Sequence, residues 1–173
     1  MSGVSGVSDG DEAPKTQYRQ FETEAEYQHA VDQLLAAPGR ELRVFDPDLS
    51  ALKLNTADRV ERLQQFLAAS RTRRLFLAVH ETDYLTKYCP RMLALLARYA
   101  HAIQVQRTHE EIRNIQDSFL VIDQSHYLRR PVAQFFRGAL GLHDDTEALA
   151  MRGRFQEIWS ASYPAVSAST LGL

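Results

Sequence analysis

Cysteine is almost absent from this 173-residue sequence, since Cys89 is the only one. A single cysteine cannot form an intrachain disulfide, which excludes a secreted fold held together by such bonds and favours a cytoplasmic location. Cys89 stands between Tyr88 and Pro90, and free cysteines are more often small buried apolar residues than nucleophiles. We therefore predict a structural role for it.

An excess of charge of one sign is also lacking, because 20 Lys and Arg face 22 Asp and Glu and the net charge is −2. Without a basic excess to displace counterions from phosphates, the composition argues against a nucleic-acid partner. No apolar run approaches the roughly 20 residues that cross a bilayer. The 45% of hydrophobic residues nevertheless suffice for one packed core and exclude a disordered chain.

Several motifs of catalytic and cofactor sites are missing. The eight glycines form neither of the two common phosphate-binding loops, Gly-x-Gly-x-x-Gly and Gly-x-x-x-x-Gly-Lys. The six histidines show no His-x-His or His-x-x-x-His spacing, and no Gly-x-Ser-x-Gly elbow follows an apolar strand. We expect neither a metal nor another cofactor.

The chain divides into a tail and a domain. Residues 1–15 are rich in glycine and serine, and they lack the basic start and the apolar stretch of a signal peptide. We predict a disordered tail over residues 1–15, followed by a single domain over residues 16–173.

Helical and extended patterns alternate along that domain. Thr23-x-x-Glu26 is a capping box that starts a helix, and long connections between apolar strands allow parallel crossovers. Asp123-Gln-Ser125 predicts a turn that joins two antiparallel strands. The fold class that we predict is α/β, with a mixed, largely parallel sheet flanked by helices on both faces. The predicted strands are 41–45, 75–79, 103–105, 119–122 and 126–129; helices follow residues 23, 55, 90, 132 and 144.

Polar side chains follow the predicted strands, where ligands of open α/β sheets gather. They include Asp46, Asp48 and Glu81, whose more common role is in solvated turns. A mixed-sign pocket of this kind has enough donors for an anionic small molecule. The residues that we predict to bind it are Asp123, His126, Arg129, Arg130, His80 and His109.

The order of elements, with Phe-Leu-Val-Ile-Asp at residues 119–123, resembles one half of the phospholipase D superfamily. The family signature is His-x-Lys-x-x-x-x-Asp, followed after six residues by Gly-Ser-x-Asn. Asp123 matches the aspartate, while Gln116 and Ser118 stand at the histidine and lysine positions. Arg130 and Ala133 stand where the following glycine and asparagine are expected. Residues 155–159 resemble the final helix of the family, whose aromatic residues pack on the sheet.

The two replacements have a chemical consequence. The resemblance implies attack on a phosphodiester by a histidine nitrogen, with lysine stabilising the phosphoryl oxygens. Glutamine is not a comparable nucleophile, and serine brings no positive charge to the transition state. Gln116 and Ser118 therefore favour a protein that is not an enzyme.

Three functional readings remain open from the sequence. The first is a non-catalytic regulatory or accessory domain that binds an anionic or phosphate-bearing ligand or a protein partner. The second is a diverged, metal-independent phosphodiesterase or nuclease that uses His109 or His126. The third is an assembly module, because the chain is also similar to a bacterial domain that accompanies acetyltransferase-like enzymes. Since single-motif members of the phospholipase D superfamily tend to pair, the resemblance also implies a homodimer.

Overall fold

The structure, a computed structural model, describes residues 13–172. Residues 1–12 of the tail predicted for residues 1–15 lie outside the described residues. Residues 13–15 are exposed and have no regular secondary structure. That residues 16–173 form one domain stays a prediction.

The described part of the chain forms eight strands and five helices. Three helices start at polar caps, because Thr23, Thr56 and Asp144 each accept a hydrogen bond from the backbone N–H three residues on. The strands are β1 (Gln17–Phe21), β2 (Glu41–Asp46), β3 (Arg74–Val79), β4 (Ile103–Thr108), β5 (Ser118–Ile122), β6 (His126–Arg130), β7 (Gly138–Leu142) and β8 (Ser162–Val166). The helices are α1 (Glu24–Ala36), α2 (Ala57–Ala68), α3 (Asp83–Tyr88), α4 (Pro90–Arg98) and α5 (Asp145–Ser160).

All eight strands form one sheet in the order β1-β7-β6-β5-β2-β3-β4-β8. The predicted mixed α/β class is confirmed. The expectation of a largely parallel sheet is not met, because only β2–β3 and β3–β4 are parallel and the other five pairings are antiparallel. The antiparallel pairings are those within the β5–β6–β7 meander, that of β5 with β2, and those of the outer strands β1 and β8 with β7 and β4.

Helices cover both faces of the sheet, as predicted. Leu34 of α1, Leu63 of α2 and Leu95 of α4 pack into the core on one face. On the other face, Phe155 and its neighbours on α5 pack against β2 and β5. Cys89 is buried in the first core, as expected of a small apolar residue, and burial raises the pKa of its thiol.

The helix predicted after residue 132 is wrong, because the segment forms a turn and then β7. Its apolar residues have helical spacing, yet Gly138 pairs with Phe21 of β1. A Cβ atom at Gly138 would lie 2.0 Å from the carbonyl oxygen of Arg129, so only glycine permits this close approach of backbones. The edge strands β1 and β8 were likewise not predicted.

Candidate functional site

A cavity of about 390 Å³, called here the strand-end cavity, opens at the carboxyl ends of β2, β3 and β6. Because β5 runs antiparallel to β2, the first residue of β5 lies at the same edge of the sheet. This is the edge at which open α/β sheets bind ligands. Its lining includes Asp46, Asp48, His80, Arg113, Gln116, Arg130 and Gln134.

A buried ion pair forms part of the wall of the strand-end cavity. Arg130 Nη2 donates to Asp46 Oδ1 at 2.9 Å, and each side chain is only 2% exposed. The Ser118 hydroxyl donates to the same oxygen at 2.6 Å. Asp46 Oδ2 accepts the backbone N–H groups of Asp48 and Leu49 at 3.1 and 2.7 Å. The carboxylate is therefore neutralised and hydrogen-bonded within the fold itself.

Aromatic rings hold the Arg130 guanidinium in place. Its Cζ atom lies 4.5 Å from the ring centre of Tyr27 and 5.9 Å from that of Phe136. Its Nη1 donates to the carbonyl of Ala133 at 2.6 Å. Burial raises the pKa of Tyr27 far above its usual value, the charge of Arg130 opposes this shift, and that of Asp46 adds to it. Two of the three guanidinium nitrogens of Arg130 are therefore bonded within the fold, whereas its buried Nε has no partner among residues 13–172.

His80 is also engaged within the fold. Its Nε2 lies 2.6 Å from the carbonyl oxygen of Ile115, and its Nδ1 lies 2.6 Å from Thr108 Oγ1. Because a carbonyl oxygen only accepts, Nε2 donates to it, and in the neutral ring Nδ1 accepts the hydrogen bond from the threonine hydroxyl. Both ring nitrogens are occupied, so His80 offers the strand-end cavity no free nucleophilic nitrogen.

The two residues that we aligned with the histidine and lysine of the phospholipase D signature both lie at this cavity. Gln116 is exposed and lines it. Ser118 is 1% exposed and lies beneath it, bonded to Asp46. Gln116 therefore presents an amide to the cavity, whereas the Ser118 hydroxyl is buried and bonded within the fold.

Asp123 lies at the opposite edge of the sheet, because the whole of β5 separates it from Ser118. Its backbone has φ of 51°, a left-handed conformation that aspartate tolerates in turns. Its Oδ1 accepts the backbone N–H groups of Arg40 and Glu41 at 3.0 and 2.8 Å. The structure thus gives Asp123 a role in fixing the loop before β2.

His126 lies at the same opposite edge and is 2% exposed. Its Nδ1 accepts the backbone N–H of His143 at 3.0 Å, and the two rings lie edge to face with centres 4.6 Å apart. Burial lowers the pKa of His126, and the charge of His143 lowers it further, while Asp123 and Asp145 raise it. The folded protein therefore favours the neutral ring.

We expect the free energy of unfolding to fall as the pH drops below about 6.5, the pKa of histidine in an unfolded chain. There the unfolded state binds a proton that folded His126 does not bind, so the stabilisation is complete above pH 6.5 and decreases below it. Urea unfolding between pH 5 and 8 measures this slope. His126→Asn is the control, since its amide oxygen can accept the same N–H. Equal slopes in the two proteins would contradict the expectation.

The other two predicted ligand-binding residues lie elsewhere. Arg129 follows Leu128 in β6, faces away from Arg130, and lies 3.8 Å from Asp117. His109 is exposed and packs on Tyr163, with ring centres 5.1 Å apart. The structure therefore does not bring the six residues into one pocket: His80 and Arg130 share the strand-end cavity, Asp123 and His126 share the opposite edge, and Arg129 and His109 lie apart.

Two other findings apply to residues 13–172. That range contains no group of three or more histidine, cysteine or acidic residues placed to hold a metal ion. No helix within it has the length and apolar composition that a membrane crossing requires.

The model of one protein family, described as Domain of unknown function (DUF7931), matches residues 23–171. The chain belongs to the DUF7931 family. The match begins at the Thr23 cap of α1 and includes all five helices and every strand except β1. No curated protein matches the sequence.

Two of the solved structures similar to this DUF7931 chain are Nuc and NucT. Nuc from Salmonella typhimurium, a phospholipase D family member, has a TM-score of 0.60 at 11% identity, covering 88% of this chain and 100% of Nuc. NucT from Helicobacter pylori has a TM-score of 0.59 at 10% identity, covering 87% of this chain and 100% of NucT. These similarities confirm the phospholipase D-like fold.

A third similar structure is TrmBL2, an archaeal chromatin protein whose structure is described as showing a novel mode of DNA binding. Its TM-score is 0.60 at 10% identity, and the match covers 92% of this chain. The DUF7931 chain spans 57% of the length of TrmBL2. This similarity therefore adds to the evidence for the fold alone.

Sequence reasoning missed three residues that shape the strand-end cavity: Tyr27, Thr108 and Arg113. Thr108 hydrogen-bonds His80, and Arg113 donates from Nε and Nη2 to the carbonyl of Thr108 at 3.2 and 3.1 Å. Arg113 could have been included among the candidate residues, because it lies only three residues before Gln116 in the sequence. Tyr27 is far from these residues in sequence, so no local pattern pointed to it.

Proposed function

We propose that this DUF7931 chain is a non-catalytic phospholipase D-like domain whose strand-end cavity binds a small phosphate-bearing ligand. The observation that carries the proposal is the state of the polar groups at this edge. Asp46, Ser118 and Arg130 bond to one another, and His80 has both nitrogens occupied. Hydrolysis needs a free nucleophile and a cation near the phosphorus, whereas binding needs only accessible donors.

Accessible donors are present at the cavity. Arg113 uses Nε and Nη2 for the carbonyl of Thr108, and its Nη1 has no hydrogen-bond partner among residues 13–172. The amides of Gln116 and Gln134 are exposed along the same lining. One guanidinium nitrogen and two amides are suited to phosphoryl oxygens, because charge-assisted hydrogen bonds from arginine are the stronger kind.

We expect inorganic phosphate and glycerol phosphate to raise the melting temperature of the wild-type protein. The double variant Arg113→Ala/Gln116→Ala should lose most of this stabilisation, because it removes the charged donor and one amide from the cavity. Thermal-shift titrations measure both effects. Arg71→Ala is the matched control, since this exposed arginine lies in the loop between α2 and β3, at the opposite end of β3. Equal stabilisation of all three proteins would refute binding in the cavity.

The diverged-enzyme alternative gains no support from the geometry. His109 is exposed against Tyr163, and His126 is buried at the far edge, so neither lines the strand-end cavity. Hydrolysis of bis(p-nitrophenyl) phosphate by the wild type, abolished in His109→Ala or His126→Ala, would replace the non-catalytic proposal.

Two partner questions belong to the same proposal. Pairing of two chains is inferred from the resemblance alone, and light scattering on the purified protein tests it. The net charge of −2 argued against a nucleic-acid partner. That argument is weaker because TrmBL2, a similar structure, is described as binding DNA. A duplex DNA titration therefore accompanies the phosphate series, and DNA binding without phosphate-ester binding would replace a small ligand with a nucleic-acid partner.

A further inference from the structure

A second concave surface, called here the outer groove, has a volume of about 540 Å³ and lies between α5 and the outer strands β7 and β1. Residues opposite one another in neighbouring strands point to the same face. Tyr127, Gly141 and Tyr18 therefore form one row across β6, β7 and β1, and Arg129 with Ala139 belongs to the next. The Tyr127 ring lies over Gly141, so the low part of the groove floor is at Ala139 of β7.

Arg129 faces this groove without a hydrogen-bond partner among residues 13–172. Its nearest carboxylate is Asp117, at 3.8 Å. Both oxygens of Asp117 are already bound by Arg154, from Nε at 3.0 Å and from Nη2 at 2.7 Å. The Arg129 Nε atom is buried and unpaired. Because the Arg129 side chain is 38% exposed, an anionic group in the groove can accept hydrogen bonds from the guanidinium nitrogens that Asp117 leaves unbonded.

Tyr127 contributes a second unpaired donor. The residue is 5% exposed and lines the outer groove, and its hydroxyl has no hydrogen-bond partner in the described part of the chain. Burial raises the pKa of Tyr127 to about 12, and the charges of Asp144 and Glu147 add to the rise. The hydroxyl is therefore a neutral donor, and it lies over Gly141 on the floor of the groove.

The groove has acidic and basic ends. The acidic end is formed by Asp144 and Glu147, which lie near Tyr127. The basic end is formed by Arg129, two residues after Tyr127 along β6, and by Arg137. Two residues of a strand span about 7 Å. Tyr18, which is 58% exposed, presents an aromatic ring on the β1 side. A ligand that fits carries an anion at one end and a flat ring with hydrogen-bond donors at the other.

We propose that the outer groove binds a nucleotide, with the phosphate at Arg129 and Arg137 and the base on Tyr18. The carboxylates of Asp144 and Glu147 accept hydrogen bonds from the exocyclic amine of the base. The sugar spans the low floor at Ala139. This site is separate from the strand-end cavity, and neither proposal depends on the other.

Isothermal titration of the full chain with AMP, GMP, UMP and inorganic phosphate tests the proposal. AMP and GMP should bind more tightly than UMP, whose base lacks an exocyclic amine, and inorganic phosphate should bind most weakly. Tyr18→Ala should raise the Kd for AMP roughly 5- to 150-fold, the range for loss of one base–aromatic stack. Arg137→Ala should raise it roughly tenfold through the lost charged hydrogen bond.

Matched controls remove an exposed side chain of the same kind elsewhere. Tyr88→Ala, at a tyrosine that is 67% exposed on α3, and Arg71→Ala should leave the Kd unchanged. Failure of every nucleotide to bind would overturn the proposal. So would binding that Tyr18→Ala and Arg137→Ala leave intact, or binding lost instead in Arg113→Ala/Gln116→Ala, which would assign the nucleotide to the strand-end cavity.

The nucleotide could be free or part of a single strand, and a second titration separates the two. Short oligo(dA) and AMP should compete for the same groove in either case. An oligonucleotide that binds more tightly than AMP at low salt, and loses this advantage as salt rises, would identify a strand. Equal or weaker binding by the oligonucleotide would identify the free nucleotide.

Discussion

Replacing Asp46 by alanine is expected to lower the free energy of unfolding by about 3–5 kcal/mol, the usual range for breaking a buried ion pair. The substitution leaves the Arg130 guanidinium, on a side chain 2% exposed, without its carboxylate. It also removes the acceptor of the Ser118 hydroxyl and of the backbone N–H groups of Asp48 and Leu49. Urea unfolding followed by circular dichroism at pH 7 measures the loss.

Asp48→Ala is the matched control for that experiment. Asp48 is two residues away and partly exposed, and it accepts hydrogen bonds from the backbone N–H and hydroxyl of Ser50. We expect its loss to cost about 0.5–2 kcal/mol, as for other local capping side chains. The double variant Asp46→Leu/Arg130→Met should recover part of the stability, because it removes both charges. A loss below about 1 kcal/mol in Asp46→Ala would show that the pair is not essential to the fold.

The central part of the fold could be predicted from the sequence because its signals are local. Residues 75–79 form a continuous apolar run, and β3 is covered by helices on both faces. Thr23 and Glu26 identify the start of α1, and their side chains do hydrogen-bond to each other. Pro90 similarly falls in the first turn of α4.

The outer strands gave no comparable signal. β1 has four exposed residues of five, so its sequence lacks the apolar alternation of a half-buried strand. β8 contains Pro164, which is tolerated at an edge but weakens a strand pattern. β7 contains two glycines, and its strand conformation depends on contacts with Arg129 and Tyr127 that only the folded chain supplies.

The candidate site was predictable only in part, because its partners are distant in sequence. Gln116 and Ser118, which the signature spacing picks out, lie at the strand-end cavity, but that they replace a histidine and a lysine stays a prediction. The bond between Asp46 and Arg130 joins residues 84 positions apart, which no local pattern reveals. The separation of Asp123 from Ser118 could have been inferred, since five strand residues span about 17 Å.

The second large effect is expected from Phe155→Ala, which should lower the free energy of unfolding by about 3–5 kcal/mol, the range for phenylalanine truncation in a core. Phe155 is 2% exposed. Its ring stacks on Trp159 with centres 5.5 Å apart and meets Phe119 of β5 edge-on at 6.4 Å. Of the five helices described, only α5 covers this face of the sheet, so no other helix can fill the space that the ring leaves.

Leu149→Ala is the matched control on the same helix, because Leu149 is 54% exposed and its truncation should change stability by no more than about 0.5 kcal/mol. Urea unfolding can be followed by fluorescence, since Trp159 is the only tryptophan and touches Phe155. The native emission of Phe155→Ala should also shift to the red as water reaches the indole, while that of Leu149→Ala should not. A stability loss in Phe155→Ala no larger than in Leu149→Ala would mean that α5 is held to the sheet by other contacts. The aromatic residues at 155–159 would then not stabilise the packing of the final helix on the sheet, contrary to what the resemblance implies.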